Sequence, residues 1–146
     1  IAHYAGIMIL PQPFVKQKGA YTVMMRKPII FIKRDLHPAM RSIVLAHELG
    51  HHFLHRQEAM QSGGFHEFNL FDMQNNQMEY EANVFAAQLK LPDEDVLECV
   101  YNGYDLAATA RALHSDINLV ALKIAELNRR GYQLREQEYR NKFLRS

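Results

Sequence analysis

The chain has 146 residues, 48% hydrophobic and 23% charged, with a formal net charge of +1. This is one globular domain's worth of sequence, and its near-neutral balance gives no general electrostatic reason to expect nucleic acid. A single cysteine, Cys99, excludes an internal disulfide and suits a reducing, cytoplasmic compartment, while no apolar run approaches the roughly 20 residues of a membrane span.

The first third reads as strands. Residues 6–10 (GIMIL), 19–25 (GAYTVMM) and 28–34 (PIIFIKR) are rich in β-branched and aromatic residues. Pro11 and Pro13 cannot donate to a sheet ladder and close the first strand. The second and third form an antiparallel pair joined by a short turn at Arg26-Lys27-Pro28. The chain opens on Ile1 rather than Met, which implies sequence ahead of it, and no signal-peptide pattern is present.

At Pro38 the period changes. Proline suits the first position of a helix, with Asp35 or His37 near the cap. Ala39, Met40, Ile43, Val44, Ala46, Leu49, Phe53 and Leu54 then recur at helical spacing, which predicts a helix over about 38–56. Residues 57–75, with Gly63-Gly64 and no sustained period, form a long connection of the kind that tends to be functional. A second helix starts near Asn75 or Asn76 and stops before Pro92. Further helices cover roughly 93–102, 105–114 and 116–130, with Gly103 and Gly131 as breaks. The fold class is α+β, a small antiparallel or mixed sheet packed on the 38–56 helix and followed by a helical C-terminal part. Residues 1–146 read as a single domain, with the sheet and first two helices in about 1–92 and a helical extension in about 93–146.

The 38–56 helix carries AHELGHHFLH at residues 46–55. His47 and His51 are four apart, so both imidazoles leave one helix face about a turn from each other. That separation suits two nitrogen ligands on one Zn²⁺. Glu48 lies about 100° further round, where it reaches a water on the metal without ligating it. This is the His-Glu-x-x-His arrangement of zinc peptidases, with the glutamate as general base. His55 is two turns from His47, about 12 Å along the axis at about 1.5 Å per residue, too far to share one ion with both His47 and His51. His52 points away from the pair. Structural or solvated roles are expected for His52 and His55.

A catalytic zinc site takes three protein ligands and keeps one position open. On the second helix Ala82, Phe85, Ala86 and Leu89 make the packing face, leaving Glu79 and Asn83 as an i, i+4 pair on a neighbouring stripe. Glu79 is the chosen third ligand, completing a His₂Glu site for one Zn²⁺ per chain. Asn83, one turn on, is placed to hydrogen-bond a ligating histidine and fix its tautomer. Glu81 is the competing carboxylate, two residues away and facing elsewhere. For the oxyanion, His66, Tyr80, Tyr101, Tyr104, Arg111 and His114 are candidate donors, with His66 singled out because it precedes the ligand helix.

HELGHHFLH followed 23 residues later by EYEANVFAAQLKLP resembles the ImmA/IrrE family of bacterial metallopeptidases. Its members carry a His-Glu-x-x-His helix and a later Glu-x-x-Ala-Asn-x-Phe-Ala-Ala-x-Leu-x-x-Pro segment. The resemblance implies His47, His51 and Glu79 as metal ligands and Glu48 as the catalytic glutamate. It also implies cleavage of a helix-turn-helix repressor as the activity, in phage or mobile-element regulation or stress response. The extra N-terminal helix common in the family is not seen in this chain.

Two other readings compete. Residues 105–132 have the outline of a helix-turn-helix, and from Lys123 onward seven Lys/Arg face three Asp/Glu. A DNA reader needs basic residues at the start of its second helix, where this chain has Asp116, Asn118 and Leu119. Leu106, Ala110, Leu113, Ile117, Val120, Ile124 and Leu127 are more simply the packing stripe of two antiparallel helices. The other rival is a non-catalytic regulator or toxin-like partner that binds a repressor without cutting it, for which Glu48 has no task.

Overall fold

The computed structural model describes residues 6–67 and 77–136. Strands β1 (Met8–Gln12), β2 (Gly19–Met24), β3 (Lys27–Lys33) and β4 (Phe65–Glu67) form one mixed sheet in the order β1-β3-β2-β4. β2 and β3 pair antiparallel with Met24 opposite Lys27, so the hairpin loop is Met25-Arg26, one residue before the expected turn. Both loop residues have positive φ, 51° and 65°, the left-handed geometry that matches the twist of the flanking strands. β1 lies parallel to β3 and continues through Pro11 to Gln12, past the expected stop. It is an edge strand, and there a proline can sit with its donor-less nitrogen facing away from the neighbour.

β3 buries alternate residues, Pro28, Ile30 and Ile32, as a half-covered strand should. Helix α1 (Pro38–Ser62) packs over this face. His37 caps it, its Nδ1 accepting from the Ala39 amide at 3.2 Å. The helix runs on past residue 56 because Ala59 still faces the interior, and it ends where Gly63 turns left-handed (φ 86°) and donates to the Ala59 carbonyl. His55 departs from helical geometry at φ −131°, ψ 26°.

The expected 57–75 connection therefore holds the end of α1 and all of β4, which pairs antiparallel with β2 and sets Phe65 opposite Tyr21. A three-residue strand has no readable period; its partner strand defines it. The remainder, 68–76, lies outside the described residues. Helices α2 (Gln77–Lys90), α3 (Asp93–Tyr101), α4 (Leu106–Ala112) and α5 (Ile117–Arg129) follow near the expected bounds.

One apolar cluster runs from Ile32, Ile43 and Val44 through Ala86 and Leu91 to Leu119, Val120 and Leu127. The C-terminal helices thus pack into the same core as the sheet and α1. Phe53 and Leu54, expected on the buried stripe of α1, are each 51% exposed, and Leu89 on α2 is also exposed. The faces turned inward carry His47, Glu48, His51 and His52 on α1 and Ala82, Asn83, Ala86 and Ala87 on α2. Two glycines make this packing possible. A Cβ on Gly50 would stand 3.0 Å from the Ala82 Cα, and one on Gly19 would stand 2.8 Å from a Val44 methyl. Among the described residues no helix is long and apolar enough to cross a membrane.

Candidate metal centre

α1 delivers His47, Glu48 and His51 fully buried, with relative exposures of 0%. Burying two imidazoles and a carboxylate is costly unless they are paired or hold an ion. Their ligand-type atoms all lie within 4.8 Å of one another, so this group can bind a metal. α2 crosses α1 at Gly50 and brings Glu79 to the same point. Glu79 Oε2 is 3.0 Å from His47 Nε2, Glu79 Oε1 is 3.1 Å from His51 Nε2, and the two Nε2 atoms are 3.2 Å apart.

Two carboxylates therefore compete for the third position. Glu48 Oε1 is 4.0 Å from His47 Nε2, whereas Glu79 reaches both imidazoles at hydrogen-bond range. The difference marks Glu79 as the inner carboxylate and Glu48 as the outer one. Of the two α2 carboxylates weighed from the sequence, Glu79 lies against both imidazoles and Glu81 pairs with His55 Nε2 at 3.2 Å.

The donor set can be tested for fit from its hydrogen bonds. His47 Nδ1 lies 2.8 Å from Asn83 Oδ1, so the ring donates there and its Nε2 carries a lone pair. That lone pair faces the Glu79 carboxylate and the second imidazole. Imidazole nitrogens and carboxylate oxygens converging at 3.0–3.2 Å are groups that a single cation can bridge. For a tetrahedral ion with bonds of about 2.0–2.1 Å, ligand atoms stand roughly 3.3–3.4 Å apart. The residues fit a divalent cation with an N₂O donor set.

The surroundings hold these side chains in place. Phe65 on β4 stacks flat on His51, ring centroids 4.1 Å apart and planes 2° from parallel. It lies in the segment read as a loop, where FHEF after the glycine pair shows no strand period. His52 is buried rather than solvated, its Nδ1 2.8 Å from the Tyr21 hydroxyl. Burial, and secondarily Arg56, lowers the His52 pKa; burial also pushes the Tyr21 hydroxyl up to about 12. Gly19 backs the Glu48 carboxyl, whose Cδ lies 3.7 Å from where its Cβ would be. Of the candidate oxyanion donors, Tyr80 directs its hydroxyl to Glu126 on α5, with Arg129 over its ring. Tyr101, Tyr104, Arg111 and His114 are exposed on and around α3 and α4. The backbone of His66 pairs with Ala20 in the sheet, but its side chain lies outside the described residues.

An α+β fold in which two crossing helices converge two imidazoles and a carboxylate defines a protein of the metal-site class. The model for the IrrE N-terminal-like domain, Peptidase M78, matches residues 2–125, and the chain belongs to this family. It is also similar to the uncharacterized immunity region protein 2 of Bacillus phage phi105, with 35% identity over 94 residues, 64% of this chain and 57% of the relative. The chain thus spans little more than half the length of that curated relative.

Proposed function

We propose that the protein is a zinc-dependent endopeptidase that cleaves a helix-turn-helix transcriptional repressor. In this reading His47, His51 and Glu79 hold one Zn²⁺, Glu48 is the general base, and Asn83 fixes the tautomer of His47. The observation that carries it is the approach of Glu79 to both imidazoles at 3.0 and 3.1 Å with the Glu48 carboxylate outside that triangle. The family membership supports a peptidase, and the immunity-region relative supports a regulatory substrate. The chain acts as one domain, with α5 packed on α2, and works in the cytoplasm, where the buried thiol of Cys99 stays reduced.

The chemistry follows from the donors. Zn²⁺ held by His47, His51 and Glu79 would supply Lewis acidity, activating a water and polarising a scissile carbonyl. Glu48 takes the proton of the attacking water and delivers it to the leaving amine. Its burial excludes bulk water from that exchange, and Gly19 leaves room for its carboxyl against β2. His66 is the proposed oxyanion donor, carried by the strand that also bears Phe65.

DNA binding through the C-terminal helices is disfavoured, because Asn118, Leu119 and Val120 at the start of α5 are buried and cannot enter a groove. Sequestration of a repressor without cleavage is the reading to be separated. The test is zinc content and repressor cleavage for the wild type, Glu79→Ala and Glu48→Gln. About one zinc per chain, lost in Glu79→Ala, with cleavage abolished but zinc retained in Glu48→Gln, is expected. Repressor control that survives Glu48→Gln would transfer the function to binding alone. A wild type that takes up no zinc would end the enzyme reading.

A further inference from the structure

His51 Nδ1 lies 3.0 Å from His55 Nδ1, and His55 Nε2 lies 3.2 Å from Glu81 Oε1. His55 is buried, whereas the side chain of Glu81 is 45% exposed. With both rings neutral, one assignment of protons serves every atom in this chain of contacts. Glu81 accepts only, so His55 Nε2 carries its ring hydrogen; His55 Nδ1 is then an acceptor, and His51 Nδ1 donates to it. His51 Nε2 is left with its lone pair turned to Glu79.

On a straight helix the ring of a residue one turn on would follow the axis. At His55 the backbone leaves helical geometry, φ −131° and ψ 26°, and there the ring bridges from His51 on α1 to Glu81 on α2. Phe65 lies flat on His51 and also contacts His55, ring centroids 6.0 Å apart. α2 therefore carries three separate groups for the α1 histidines. Glu79 approaches both, Asn83 anchors His47, and Glu81 anchors His51 through His55.

We propose that His55 and Glu81 are positioning residues that lock the ring and tautomer of His51, so that its Nε2 is presented to the metal. The proposal rests on the His47–His51–Glu79 site above and assigns a task to two residues outside it. Outer partners of a ligating imidazole raise its basicity and hold its plane, and their loss typically costs about 10- to 100-fold in metal affinity.

The test measures zinc affinity by chelator competition, together with the visible absorption of the Co²⁺-substituted protein and the melting temperature of the metal-free form. Glu81→Ala is expected to weaken zinc about 10- to 100-fold and to shift the Co²⁺ bands. The metal-free melting temperature should stay near wild type, since a single half-exposed hydrogen bond adds only modestly to stability. Glu81→Gln, whose amide oxygen still accepts from His55, should recover most of the affinity. His55→Gln should weaken zinc at least as much, and adding Glu81→Ala to it should cost nothing further, because the two act in series. Wild-type zinc affinity and an unshifted Co²⁺ spectrum in Glu81→Ala, with Glu79→Ala still losing the metal, would overturn the relay and leave the site intact. If Glu79→Ala also bound zinc normally, the site itself would fall and the relay with it. Should His55→Gln fail to fold, the two Glu81 variants decide the matter alone.

Discussion

Gly50 and Ala82 meet where α1 crosses α2, and the missing side chain of Gly50 is what lets them meet. A Cβ there would stand 3.0 and 3.1 Å from the Cα and carbonyl oxygen of Ala82 and 3.1 Å from the Cβ of Phe85. None of these neighbours is the loose end of a long side chain, so α2 itself must move. Gly50→Ala is expected to destabilise the fold by about 1–3 kcal/mol, the usual cost of overpacking, despite alanine's better helix propensity. Because Glu79 rides on α2, zinc affinity should fall as well. A variant with wild-type melting temperature and wild-type zinc affinity would show that the crossing has slack.

Asn83 contributes through its oxygen, which receives the His47 Nδ1 hydrogen at 2.8 Å. Asn83→Ala should therefore weaken zinc about 10- to 100-fold, and Asn83→Asp, which keeps an acceptor at that place, should weaken it less. Chelator-competition titrations of both variants decide this. Equal losses would mean that the side chain matters for packing and not for its acceptor.

Removing the metal should loosen the protein. A ligand present at about 1,000 times its Kd stabilises the folded chain by roughly 4 kcal/mol, which for a protein of this size corresponds to a rise in Tm on the order of 10 °C. Differential scanning calorimetry with zinc and with a chelator should show such a gap, nearly absent in Glu79→Ala. A gap of the same size in that variant would locate the ion elsewhere.

A second electrostatic cluster governs acid stability. Arg130 forks onto Asp93 at 2.8 and 2.9 Å, and the buried Lys123 also pairs with that carboxylate. The Arg130 hydrogen bond first, and then that of Lys123, hold the Asp93 carboxyl well below the usual carboxylate range. A group that is harder to protonate folded than unfolded lends its stability in full above its unfolded pKa of about 3.9 and loses it as pH falls further. Asp93→Asn is expected to cost on the order of 1–3 kcal/mol at neutral pH, since among the described residues Lys123 then keeps Gln88 as a neutral partner. Its stability should also fall less steeply than that of the wild type below about pH 4. Denaturant melts at pH 7 and pH 3 compare the two; parallel losses would remove Asp93 from the account.

His47 and His51 share a face because four residues make about one helical turn, a relation that any α-helix enforces whatever surrounds it. The pairing of Glu79 with Asn83 is equally local, which is why both could be named from spacing and why Glu81 was set aside. The first three strands, a cap at Asp35 or His37, and the breaks at Gly103 and Gly131 were also legible, since turn chemistry and period act over a few residues.

The length of α1, the strand β4 and the burial of His52 and His55 were not legible. Each depends on a partner far along the chain: Tyr21 receives His52, Glu81 receives His55, and β2 gives β4 its pairing. Hydrophobic period placed Phe53 and Leu54 inside, yet the buried face of α1 is the histidine face. Its polar groups find their partners on α2 and β2, and so the polar face could be turned inward. Sequence alone determined which residues α1 and α2 offer. Only the tertiary structure decided which of them meet, because that depends on how closely two helices approach at a glycine, and such contacts between distant segments leave no period to read.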